Sequence, residues 1–296
     1  MKKLLGRAKS SISRRTSFKR SPPSFTTMET PSEPPPAYDS KPCSQPAVTP
    51  AAFLDRNNLS SSSDPYHFLY LFDTVFLVDD SSSMLGPRWR EVQTALAQLT
   101  PICTSHDDDG IDVFFMNHVN GASPTGGYCG LTDPEEVHAI FRSVRPFGPT
   151  PTRSRIEHIL NPYMTRLREA DDCQDIRPLN LIVLTDGMPG PPLREDGSNP
   201  HLPEPAIVHY AGLLDQMGAP AYQVGIQFIQ VGNDAGATRA LEDLDHLHRK
   251  HAIRDMVDTT KCNASRSTLS AHAILKAVLG GVDRRLDSGS STDAGR

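Results

Sequence analysis

No apolar run in this 296-residue chain reaches the ~18 residues that a membrane span needs. Met1 to Arg20 holds only short apolar pieces, Leu4, Leu5 and Ile12, so it lacks the core of a secretory signal. Cysteine is scarce. Cys43, Cys103, Cys129, Cys173 and Cys262 are scattered without metal-ligand spacing. An odd number of thiols with no secretory leader points to a reducing compartment. The expected location is cytoplasmic, with membrane-associated or mitochondrial placement as the alternative. The usual signatures of catalysis are also missing. There is no Gly-x-Ser-x-Gly, no Ser–His–Asp order and no Walker Gly-x4-Gly-Lys.

Charge is unevenly spread. Residues 1–50 carry nine basic and three acidic groups, a balance of +6. The whole chain is −5, so residues 51–296 carry −11. An acidic body argues against a nucleic-acid-binding core and leaves the basic tail as a candidate for anionic surfaces. Leu4, Leu5, Ala8 and Ile12 fall at helical spacing within that tail. A solvated tail, a weak membrane-surface helix and a mitochondrial presequence all fit this pattern. Arg14-Arg15-Thr16-Ser17 resembles a basophilic kinase site, and phosphate on Ser17 would weaken attraction to a membrane.

Residues 21–65 are rich in Pro, Ser and Thr and poor in large apolar groups, so the whole stretch 1–65 reads as a disordered tail. Within it, Pro35-Pro36-Ala37-Tyr38 is a PPxY motif, the ligand of WW domains. Its prolines pre-form a polyproline II turn from which Tyr38 can enter an aromatic groove. A WW-domain protein, such as a ubiquitin ligase of the HECT class, is the partner that Pro35, Pro36 and Tyr38 imply. A Pro-rich linker with a chance tyrosine is the plain alternative.

The body is organised around residues 71–88. Val75 to Val78 is a β-branched, apolar run that reads as a strand buried on both faces. At its end stand Asp79, Asp80, Ser81, Ser82 and Ser83, then Gly86, Pro87 and a helical pattern from Arg88 to Leu99. A strand that stops, delivers oxygen side chains and turns into a helix is how an open α/β sheet builds a site. Asp79, Ser81 and Ser83 are hard oxygen donors at i, i+2 and i+4, suited to Mg²⁺ or Mn²⁺ rather than zinc.

Asp79-x-Ser81-x-Ser83 behind a buried strand resembles the metal-ion-dependent adhesion site of von Willebrand factor A-type domains. Gly148-Pro149-Thr150-Pro151-Thr152 is similar to the second loop of that site, and Leu181 to Gly187 to the third. The resemblance covers roughly residues 66–286, with 287–296 as a polar tail, and includes intracellular fungal members of the family. It implies metal ligation by Asp79, Ser81, Ser83, Thr150 and Asp186, directly or through water. It also implies capture of a partner protein's Asp or Glu at the ion. Ser82 is a departure, because the family often has Gly there.

The rest of the chain supports an α/β fold, a doubly wound, mostly parallel sheet flanked by helices. Trp89, Val92, Leu96 and Leu99 form an apolar helical stripe. Ile111–Met116 is a strand, and Asn117–Leu131 contains a short edge strand. Asp133 caps a helix that starts at Pro134. A helix from about Arg153 to Glu169 follows, with Thr152 as its cap while Thr150 faces the metal. Leu179–Thr185 is a second buried strand, and Met188–Pro205 a long polar loop. Further elements are a helix over 206–217, a strand over 222–231, one continuous helix over 235–251, a strand near 257 and a helix over 271–286. His246, His248 and His251 are spaced by two and three, which does not gather them on one helical face.

These features point to a metal-dependent binding module that is not an enzyme. The alternative adaptor reading places the activity in the tail, with PPxY recruiting a ligase. The enzymatic rival is a Mg²⁺-dependent phosphotransferase. A haloacid-dehalogenase-like enzyme of this kind needs a second Asp two residues after its nucleophile as general acid, where this chain has Ser81.

Overall fold

The computed structural model describes residues 66, 68–106, 109–187, 199–261 and 269–290. These residues all belong to one unit, Pro42–Arg296. The PPxY motif, the basic N-terminal stretch and most of the 188–205 loop lie outside the described residues.

Six strands form one sheet: β1 (Asp73–Val78), β2 (Ile111–Phe115), β3 (Tyr128–Leu131), β4 (Leu179–Thr185), β5 (Val224–Gln230) and β6 (Val257–Lys261). Their order is β3-β2-β1-β4-β5-β6. All neighbours are parallel except β2 and β3, which form an antiparallel edge. β1 is paired on both sides, with Val78 opposite Phe115 of β2 and Leu184 of β4.

The helices are α1 (Phe68–Leu71), α2 (Pro87–Thr104), α3 (Pro134–Ser143), α4 (Thr152–Glu169), α5 (Glu204–Gln216), α6 (Ala235–Asp245), α7 (Leu247–His251) and α8 (Ala271–Ser290). They cover both faces of the sheet, so each central strand feeds two cores. Phe76 and Val78 of β1, with Ile182 and Leu184 of β4, pack under α2, α3 and α8. Val75 and Leu77, with Leu181 and Val183, pack under α4, α5 and α6. The alternation follows from the period of two along a strand. Every residue of β4 and β5 is buried, as a parallel sheet with two covered faces requires. Each fully buried Leu or Phe contributes about 1.5–3 kcal/mol through area removed from water. Among the described residues, no helix is long and apolar enough to cross a membrane.

Four elements depart from the sequence reading. α2 does not stop at Leu99 but continues through Pro101 to Thr104, because Thr100 and Cys103 are buried against the core. Thr152 is the first residue of α4 rather than its cap. The cap position is Pro151, without a side-chain bond, and the buried Thr152 hydroxyl donates to Met116 Sδ at 3.8 Å. The helix expected over 235–251 breaks at His246, whose φ of −95° and ψ of 7° leave helical geometry. The Asp245 carboxylate accepts from the Thr259 backbone N–H of β6 at 3.0 Å, which ties the end of α6 to the sheet. The last helix runs to Ser290 rather than Leu286.

Candidate functional site

The chain reverses direction across the sheet between β1 and β4. In open α/β sheets the crevice outside the strand C-termini at such a point is where sites form. The loops after β1 and β4 carry Asp79–Ser83 and Asp186, so both reach that crevice.

Asp79 is fully buried, and both of its oxygens are oriented. Oδ1 accepts from the Ser81 N–H at 2.8 Å, and Oδ2 accepts from the Thr185 hydroxyl at 2.7 Å. Thr185 Oγ1 in turn accepts from the Gly187 N–H at 2.9 Å. Desolvation pushes the Asp79 carboxyl up to about 6. The Thr185 and Ser81 hydrogen bonds pull the other way, and the nearby Asp186 charge adds to the rise. Ser81 Oγ and Ser83 Oγ stand 2.9 Å apart, with Ser81 buried and Ser83 exposed at the surface.

Ser82 fits without strain. Among the described non-glycine residues only Ala252 has a positive φ. The Ser82 N–H donates to the Gly148 carbonyl at 3.1 Å, which joins the first loop to the second. Thr150 is buried in that second loop. With Thr152, Thr185, Gly187, Leu202 and Phe228 it lines a small cavity of about 40 Å³.

Asp186 is 3% exposed. Its Oδ2 accepts from Arg88 Nη1 at 2.8 Å, and the same nitrogen donates to the Ser83 carbonyl at 3.1 Å. Its Oδ1 is buried and finds no hydrogen-bond partner among the described residues. Gly187 follows with φ +89°, and a Cβ there would stand 2.8 Å from the Ala237 Cβ of α6. Only glycine lets the third loop pass so close to that helix.

The five expected ligands therefore share one crest. Three are joined directly, Asp79 to the Ser81 N–H and the Ser81 hydroxyl to that of Ser83, and Asp186 is linked to the Ser83 carbonyl by Arg88. Thr150 joins through the backbone of its loop, where Gly148 accepts from the Ser82 N–H. The donor set suits a hard divalent cation, with two carboxylates and three hydroxyls. The orphaned Asp186 Oδ1 fits the same ion, because a buried acceptor without a partner costs about 1–3 kcal/mol. Among the described residues no three His, Cys, Asp or Glu gather into a metal cluster, so a cation here relies on the hydroxyls. His246, His248 and His251 lie apart from it, bonded to Glu242, Asp245 and Glu204 respectively.

The sequence reading missed Asp80. It is fully buried, with its carboxylate turned away from Asp79. Oδ1 accepts from the Asn117 N–H at 2.7 Å, and Oδ2 from the His118 N–H at 2.9 Å. Its backbone carbonyl accepts from Phe147 N–H at 2.7 Å. Asn117 Nδ2 continues to the Pro149 carbonyl at 2.8 Å. Asp80 thus ties together the loops after β1, β2 and α3. Beneath it lies the buried Arg155, whose guanidinium is pulled down by desolvation and back up by the Asp80 charge. Two adjacent carboxylates at a strand end were the available signal. Alternation along an extended chain sends one forward and one back.

No protein-family description matches this chain, and no curated protein matches it. Among solved structures, proximal thread matrix protein 1 from the mussel byssus is similar at 14% identity and TM-score 0.36, over 73% of this chain and 47% of that one. The D319A mutant of the PilB minor pilin from Streptococcus sanguinis is similar at 11% identity and TM-score 0.40, over 72% of this chain and 61% of that one. The chain spans less than two thirds of either structure, and likenesses this distant carry no argument.

Proposed function

We propose that the crest is a divalent-cation-dependent site for a protein partner. Mg²⁺ or Mn²⁺ is held by Asp79, Ser81, Ser83, Thr150 and Asp186, as in a von Willebrand factor A-type domain. The observation that carries this reading is the buried Asp186 Oδ1, which finds no partner among the described residues, on a carboxylate that Arg88 links to Ser83 of the Ser81–Ser83 hydroxyl pair. When bound, the ion supplies an electrophilic position whose water a partner carboxylate can replace.

The chain's own residues prepare that position. Ser81 N–H and Thr185 hold Asp79 in one orientation. Asp80 fixes the loops that present Ser81, Ser83 and Thr150. A macromolecular partner is supported by what surrounds the oxygens. The exposed large hydrophobics among the described residues are Leu85, Val119, Phe147 and Leu202, at 59%, 52%, 56% and 38%. All four stand on loops at the C-terminal side of the strands. Exposed apolar groups collected on one face mark interaction sites. They fit a partner whose acidic residue is flanked by apolar side chains. A phosphotransferase is disfavoured because Ser81 occupies the position of the second acid and its backbone is committed to Asp79.

Calorimetric titration of Mn²⁺ into the chelator-treated chain tests the reading. The wild type should give a saturating isotherm and Asp79→Ala none. Partner capture should be lost in chelator. Identical isotherms from the two proteins refute the site.

A further inference from the structure

Arg88 lies in the first turn of α2, where the helix dipole disfavours positive charge. Its side chain nevertheless turns onto the crest. Nη1 donates to Asp186 Oδ2 at 2.8 Å and to the Ser83 carbonyl at 3.1 Å. On its other side the guanidinium lies against Gly232, in the loop after β5. That glycine has φ +83°, and a Cβ there would stand 3.0 Å from Arg88 Nε and 3.6 Å from Nη2. One guanidinium therefore spans the loops after β1, β4 and β5. The Arg88 side chain is 34% exposed, whereas that of Asp186 is 4% exposed.

The geometry points to Arg88 as a tethered counter-ion that holds the metal-free crest together and sets the affinity of its divalent-cation site. The inference rests on the cation reading above and specifies how strong that site is. Asp186 offers two oxygens. Oδ2 is occupied by Arg88, and Oδ1 is the orphan. Cations on the two oxygens of one carboxylate repel by an amount worth on the order of tenfold in affinity, even with water-like screening. If Arg88 instead swings away, the lost ion pair weakens binding of the divalent ion by a similar route. Without the ion, Arg88 supplies the positive charge that keeps Asp79 and Asp186 from facing each other uncompensated. Occupancy of the crest then depends on free cation concentration, and the loops stay assembled when it is empty of cation.

Two variants separate charge from packing. Arg88→Met keeps the apolar stem and removes the charge. Arg88→Lys keeps the charge and removes the planar fork. Mn²⁺ alone is titrated into each chelator-treated full chain, and thermal melts are run in EDTA and in Mn²⁺. Arg88→Met is expected to bind Mn²⁺ about tenfold more tightly than wild type, and Arg88→Lys within about threefold of it. In EDTA, Arg88→Met should melt below wild type, and Mn²⁺ should close or reverse that gap. A merely structural arginine would lower the melt without tightening the ion. Arg88→Gln can still donate to Asp186 without charge, and it gives the same ranking if the Met variant does not fold. Wild type that binds Mn²⁺ while the uncharged variants bind it equally or more weakly overturns the counter-ion role alone. No Mn²⁺ binding by any of these proteins overturns the cation reading and the counter-ion role together.

Discussion

Asp79→Asn should make the metal-free protein more stable at pH 7 while removing its response to divalent ions. The Asp79 carboxyl is fully buried and pushed from 3.8 up to about 6. At about 1.4 kcal/mol per pH unit, that displacement makes the ionised form cost about 3 kcal/mol in the folded state. The sign follows from linkage. The folded value lies above the unfolded one, so the neutral carboxyl's stabilising contribution is complete below about pH 4. It is lost as pH rises through about 6. At pH 7 the wild type bears the full cost, and the Asp79→Asn variant bears none. The introduced amide can still accept from the Ser81 N–H through its oxygen, but its NH₂ meets the Thr185 hydroxyl, which must turn. That rearrangement costs about 1 kcal/mol. The expected gain is therefore about 2 kcal/mol at pH 7, turning into a loss of about 1 kcal/mol near pH 4, where only the rearrangement cost remains. Urea unfolding in EDTA at the two pH values measures it. In excess Mg²⁺ the order should invert, because ligand at a hundred times its Kd stabilises the wild type by about 2.7 kcal/mol and leaves the variant unmoved. A variant less stable than wild type in EDTA at pH 7, or a difference that ignores pH, refutes the reasoning.

Asp80→Ala should act in the opposite sense. It strands the Asn117 and His118 N–H groups and leaves Arg155 uncompensated, a loss of about 3–5 kcal/mol by urea unfolding with or without metal. The double variant Leu85→Ser, Phe147→Ser should lose partner capture in a chelator-controlled pull-down while its Mn²⁺ isotherm stays that of wild type. An altered isotherm would mean that these side chains serve the loops rather than a partner. Tyr38→Ala should lose capture of a WW-domain protein and keep the Mn²⁺ isotherm. Equal capture by both chains would remove PPxY from consideration.

The two buried strands at the heart of the sheet were readable because β1 and β4 are apolar on both faces, and only a covered parallel sheet accommodates such runs. The cap at Asp133 was equally local, since its side chain reaches Glu135 N–H two residues on, at 2.9 Å. The helix break at His246 was not readable. Leu241, Leu244 and Leu247 suit an unbroken helix, and the Asp245–Thr259 bond that ends it crosses fourteen residues. Thr152 misled for a similar reason. A threonine before a helix reads as a cap, but burial against Met116 claimed its hydroxyl.

The candidate ligands belong to the first kind. Asp79, Ser81 and Ser83 lie within five residues, Asp186 opens the loop after β4, and Thr150 stands two residues before the start of α4. What the amino-acid order determined was where oxygen atoms leave buried strands, because strand period and solvent exclusion act within a few residues. The Arg88–Asp186 ion pair spans 98 residues, and the Asp80 anchor to Asn117 spans 37. Which charge balances which, and which carboxylate oxygen is left over, depends on loops meeting across the sheet. Those distances exist only after β1 and β4 have paired, so tertiary structure alone decided them.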